Sequence, residues 1–144
     1  MRTAMIFLLL LMASPAVAAG SSKAYAKGGP FAPFEQIVAQ YNASGEPFRI
    51  EGHCQSSCTM FLGIRNVCVE RSARLLFHAG KARGVMTPGA TARMTTMYNS
   101  RLRAYLDAGG YMDTLALHTL SGAEIVSKFG YKACPQMPCT ADDR

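Results

Sequence analysis

The sequence predicts an α/β domain in which a short, mostly parallel sheet is flanked by helices. Three observations lead there. Apolar residues recur at helical spacing over 31–41 and 90–108; short apolar stretches at 47–52, 67–69 and 75–77 have strand character; and the two kinds of segment alternate along the chain.

Residues 20–27 are polar and short, with 24–26 as an edge strand, and run into Gly28-Gly29-Pro30, where the chain must turn. Phe34, Ile37, Val38 and Tyr41 then recur at steps of three and four, which predicts a helix over 31–41 that ends at 42–45. The strand at 47–52 alternates around Phe48 and Ile50, with Arg49 and Glu51 on its other face. Ser56 or Ser57 caps a following helix that carries Met60, Phe61 and Ile64 and breaks at Asn66. Strands at 67–69 and 75–77 are joined by a polar link at 70–73, and His78 closes the second. Gly84, Pro88 and Gly89 make 81–89 a loop able to cover or uncover a site. The clearest helix is 90–108, with Met94, Met97, Tyr98, Leu102, Tyr105 and Leu106 on one face and Gly109-Gly110 as its stop. After a less regular stretch through Leu115, Leu117 and Leu120, Ser121 to Glu124 open a last short helix that Gly130 ends.

Arg2, an apolar run over 4–12 and Ala16-Val17-Ala18 read as a secretory signal peptide over 1–19, cleaved after Ala18 or Ala19. Residues 20–144 then form one exported domain, periplasmic or secreted, with material for a single core. No later segment approaches the roughly 20 apolar residues of a spanning helix, so no membrane span remains after signal cleavage.

The formal charge is +6, one unit less without Arg2, and its Lys and Arg are interleaved with apolar residues. That distribution describes a solvated surface, with an anionic membrane or cell-wall polymer as the other partner class. An exported chain lacking an aromatic-basic stripe is no nucleic-acid binder. No cofactor is expected, the substrate or protein partner is unknown, and self-association that completes the sheet stays open.

All five cysteines lie in the exported part, where disulfides persist, and an odd number leaves one over. Cys134 and Cys139 flank a Pro-Gln-Met-Pro turn, which predicts a local bridge. Cys58 with Cys68 is the favoured second pair, and Cys54 with Cys58 competes. A zinc site from His53, Cys54, Cys58 and Cys68 fits no common finger spacing, so no metal is assigned.

Gly52-His53-Cys54-Gln55-Ser56-Ser57-Cys58-Thr59 carries the chemical interest. A serine needs a base to take its proton and donors to hold the oxyanion that forms. His78 at a strand end is the candidate base, in preference to His53 and His118, and Asp113 the candidate orienting acid.

The order Gly-Gly, helix, strand, Ser, helix, strand, strand, His, long helix resembles the Clp-protease and crotonase superfamily, particularly its small exported members. The resemblance runs from about residue 24 to 133. With Phe61-Leu62 as anchor, it implies Ser57 as nucleophile and N–H groups of Gly28 or Gly29 and of Cys58 as the oxyanion hole. Ser72-Ala73-Arg74-Leu75-Leu76-Phe77-His78 is similar to the family's histidine strand, and Asp113-Thr114 before Leu120-Ser121-Gly122-Ala123-Glu124 is similar to its acid segment. It implies a truncated Clp/crotonase-like fold and a Ser57-His78-Asp113 serine hydrolase or peptidase. Related exported proteins often carry Ser-Ala-Cys-Thr here, which would make Ser56 the retained serine. The competing expectation is a non-catalytic, disulfide-stapled module with its serines as helix caps.

Overall fold

Two parallel strands bend together near the middle of the domain, and the rest of the chain is arranged around that bend. The structure is a computed structural model, and it describes residues 19–136. In chain order the elements are β1 (Gly20–Ser21), a 3-10 turn (Lys23–Tyr25), α1 (Phe31–Ser44), β2 (Phe48–Ile50), β3 (His53–Gln55), a 3-10 helix (Ser56–Gly63), β4 (Val67–Val69), β5 (Arg74–Phe77), β6 (Lys81–Ala82), β7 (Val85–Met86), α2 (Pro88–Thr95), α3 (Ser100–Ala108), β8 (His118–Ser121) and α4 (Gly122–Phe129). The class is mixed α/β with small, partly parallel sheets. The signal-peptide reading over 1–19 falls almost wholly outside the described residues.

The first sheet has the order β1-β2-β4, all parallel, and the second the order β3-β5-β8, with β3 parallel and β8 antiparallel to β5. β2 runs into β3 through Gly52, whose φ of +62° turns the chain. The parallel neighbour stays aligned across this bend, because Glu70 N–H donates to Ile50 O at 2.9 Å and Arg74 N–H to Gly52 O at 2.8 Å. Val69 forms a further parallel bridge to Ala133, which brings the C-terminal segment beside β4.

Phe61 lies at the centre of the core, fully buried, with Phe48, Phe34 and Tyr25 rings at centroid distances of 4.7, 5.3 and 5.4 Å. The predicted α1 periodicity is realised with Phe34 and Val38 buried, and Gly45 in the left-handed region caps its end by donating to Tyr41 O. Several expectations need correction. Residues 24–26 belong to a 3-10 turn, and the edge strand lies earlier, at Gly20–Ser21. Neither Ser56 nor Ser57 is a cap: the segment is a 3-10 helix with Gln55 in the cap position and no side-chain capping bond. The single helix over 90–108 is two helices, because the Asn99 side chain accepts from Leu102 N–H and donates to Phe129 O, making it the N-cap of α3. The loop at 81–89 contains a hairpin, and the less regular stretch ends in strand β8. The hairpin turn is Arg83-Gly84 with φ of +52° and +81°. Glycine takes such a conformation freely, whereas at Arg83 it costs about 1–2 kcal/mol.

The C-terminal helix starts as the sequence predicts. Ser121 and Glu124 form a reciprocal capping box, and Lys128 bonds Glu124 at 2.7 Å. Lys128 and then the two Ser121 donors hold the Glu124 carboxyl down at about 2. A depressed acid stabilises the fold above its unfolded value, and that contribution vanishes as pH falls through the folded value. Melting temperatures of wild type and Glu124→Gln should therefore differ above about pH 4.5 and converge towards pH 2, as the unfolded and folded carboxyl values dictate. A difference that persists at the acid end would show that the carboxylate charge is not what stabilises this cap.

Two bridges staple the domain, Cys54–Cys58 and Cys68–Cys134. This corrects the expected Cys58–Cys68 and Cys134–Cys139 pairings. Cys54 is the middle residue of β3 and stands four positions before Cys58, and the Val69–Ala133 bridge delivers Cys134 to Cys68. Cys139 lies outside the described residues. Both bridges are compatible with an extracellular or periplasmic location, and no helix among the described residues is long and apolar enough to cross a membrane.

Candidate functional site

The strand-to-helix turn after β3 is shaped by three constraints acting on six residues. Cys54 and Cys58, both fully buried, tie its two ends together. Ser56 between them adopts φ of +57°, a left-handed conformation that a serine occupies only under constraint. Thr59 Oγ1 donates to Ser56 O at 2.7 Å, closing the turn from the far side. Thr59 also meets the Tyr98 hydroxyl at 2.6 Å. Burial pushes the Tyr98 phenol far above its ordinary value, so it remains a neutral hydrogen-bonding group.

Ser57 has no exposed surface, and its hydroxyl donates to the Gly29 carbonyl at 2.6 Å. The partly buried Ser56 hydroxyl has no hydrogen-bond partner among the described residues. Gly28 abuts the same turn: a Cβ placed on it would lie 2.7 Å from Gln55 O and 3.0 Å from Ser57 N, at a φ of +71°. Only glycine fits so close a backbone approach. The Gly28 N–H is already donated to Tyr25 O at 2.9 Å, whereas the Gly29 N–H has no partner among the described residues. Cys58, expected to lend its N–H, lies in a backbone segment fixed by its bridge to Cys54.

His78 follows β5 and is 7% exposed. Its Nδ1 lies 2.7 Å from the Ala79 carbonyl, a bond the ring makes only by donating, so in the neutral ring Nε2 is the nitrogen with the lone pair. Asp113 reaches this neighbourhood through backbone: Ala79 N–H donates to Thr114 O at 2.8 Å. The Asp113 carboxylate itself is exposed and makes no hydrogen bond to His78. The structure thus joins Ser57 to Gly29 and the His78 segment to the Asp113 segment. Among the described residues no hydrogen bond runs from Ser57 to His78 or from His78 to Asp113; the Ala79 carbonyl occupies the orienting position at the ring.

His53 Nε2 lies 3.2 Å from Gln55 Oε1, and Cys54, Cys58 and Cys68 are all bridged, so none of these sulfurs is available to a metal. His118 stacks on Tyr111 at 3.5 Å with its Nε2 buried and unpartnered, and burial lowers its pKa against the opposing influence of Glu124.

Sequence reasoning missed a cleft of about 670 Å³ between the start of α1 and the β6-β7 hairpin. Gly29 forms part of its wall, so the cleft begins one hydrogen bond from Ser57. The signal that could have found it is a pair of cations, Lys81 and Arg83, in the segment expected to be a loop able to cover or uncover a site. Compared with known protein families and with curated proteins, the chain matches none.

Proposed function

We propose that this chain is an exported, disulfide-stapled domain of Clp protease/crotonase-like build that binds a ligand or partner and does not hydrolyse it. The Ser57 contact carries this reading. A hydroxyl with no exposure, donating to a backbone carbonyl, neither meets an acyl carbon nor passes its proton to a base without rebuilding the turn. Of the expected oxyanion donors, the Gly28 N–H is engaged and Cys58 is fixed by its bridge, and an oxyanion hole needs its donors free on a backbone shaped for them; the Gly29 N–H alone is without a partner among the described residues.

One observation favours a second reading, a Ser-His hydrolase with Asp113 as its acid. Ser56 sits left-handed at a strand-to-helix turn with its hydroxyl unengaged, as a strained nucleophile does. A fluorophosphonate probe decides between them. The binding reading expects no labelling of the folded, oxidised protein. Labelling lost in Ser57→Ala and His78→Ala but kept in Ser56→Ala would establish the hydrolase with Ser57 as nucleophile; loss in Ser56→Ala and His78→Ala alone would establish it with Ser56.

A further inference from the structure

The cleft beside Gly29 has one sign of charge on its walls. Lys81 and Arg83 line it from the hairpin and Arg93 from α2, and no carboxylate lines it. Arg93 is held by Glu35 through two bonds, Nε to Oε1 at 2.9 Å and Nη2 to Oε2 at 2.6 Å, and lies 5.2 Å over the Phe31 ring. It is therefore a fixed wall whose charge Glu35 already balances. Lys81 and Arg83 form no ion pair among the described residues, which leaves two uncompensated positive charges facing one concavity.

Arg83 adds an independent observation. It stands in the left-handed first position of a two-residue hairpin turn, where asparagine or glycine is the ordinary choice. Strained backbone positions cluster at binding sites, so a long cation at one that borders a cleft points to that cleft as a site. The uncapped first turn of α1 and the first turn of α2 border the same space, adding to its positive potential.

We infer that this cleft binds a dianionic group, a dicarboxylate or a phosphate, through Lys81 and Arg83, with Arg93 as the rigid opposite wall. The inference rests on the binding reading above and names its ligand chemistry. Two charges and a guanidinium fork suit an oxyanion, and Gly29, whose N–H has no partner among the described residues, adjoins them in the cleft wall.

The test is a titration of the ¹⁵N-labelled, oxidised domain with sodium succinate and, separately, inorganic phosphate, at constant ionic strength made up with sodium chloride. Saturable shifts at the Gly29, Gly84, Gly89 and Ala90 amides are expected. Response to succinate alone assigns a carboxylate ligand, to phosphate alone a phosphate, and either supports the site. In Lys81→Gln/Arg83→Asn, which removes both charges while asparagine tolerates the left-handed turn, binding should weaken about tenfold or more. An otherwise unchanged spectrum shows that this variant is folded. Shifts that never saturate, or that saturate equally in the variant, overturn the inference. Fluorophosphonate labelling would instead overturn the binding reading and leave this titration to decide the cleft on its own.

Discussion

Replacing Cys68 and Cys134 together with alanine is expected to cost about 4 kcal/mol of stability, because their bridge closes a loop with a sequence separation of 66. The loop contains β5, the hairpin, α2, α3, β8 and α4, so its loss frees more than half of the described chain in the unfolded state. The Cys54–Cys58 bridge spans a separation of only 4, and the same reasoning gives its removal about 2 kcal/mol. Urea unfolding of the two double-alanine variants beside the wild type measures both. Equal costs, or a larger cost at Cys54–Cys58, would mean that native contacts around the serine turn outweigh the unfolded-state constraint. Since domains of this size are stable by about 5–15 kcal/mol, the Cys68/Cys134 variant should already be partly unfolded in modest denaturant.

Phe61→Ala should be as damaging, at about 3–5 kcal/mol, through a different mechanism. Phe61 touches rings from the first 3-10 turn, α1 and β2, so its removal opens a cavity where three elements meet. It belongs to the same 3-10 helix as Ser57 and faces the elements that flank Gly29. The cavity should therefore also loosen the Ser57–Gly29 contact, raising amide exchange at Gly29 and Ser57 more than at β5. Phe61→Leu fills most of the space and should fall between the two. A loss below about 1 kcal/mol in the alanine variant would contradict so central a position, since that is the scale of surface and near-surface changes.

Much of the fold can be read in the chain because its signals are local. The recurrence of Phe34 and Val38 marks α1, the Ser121–Glu124 box marks the start of α4, and Phe48 and Ile50 alternate inward in β2. The break in the second helical run has a local signal as well, since asparagine is a strong N-cap; Tyr98 and Leu102 on either side of Asn99 are both buried and preserve the apolar face across the break. The disulfide pairing has no such signal. Cys68 meets Cys134 through the pairing of Val69 with Ala133, a contact between the middle and the C-terminal end of the described residues. The site divides in the same way. Gly28 and Ser57 were identifiable as neighbours of a turn, whereas the carbonyl that accepts the Ser57 hydrogen bond depends on the path of Gly29 after a left-handed Gly28, which no residue pattern encodes.

The Cys54–Cys58 bridge has a kinetic consequence. Thiol–disulfide exchange requires an incoming thiolate to reach a sulfur, and both of these sulfurs are sealed from solvent. Those of Cys68 and Cys134 belong to partly accessible residues. A mild reductant should consequently release two thiols quickly and two slowly, the slow pair at the rate at which the serine turn opens. Timed alkylation of that slow pair would turn the bridge into an internal gauge of local opening at the site, requiring neither a substrate nor a known ligand.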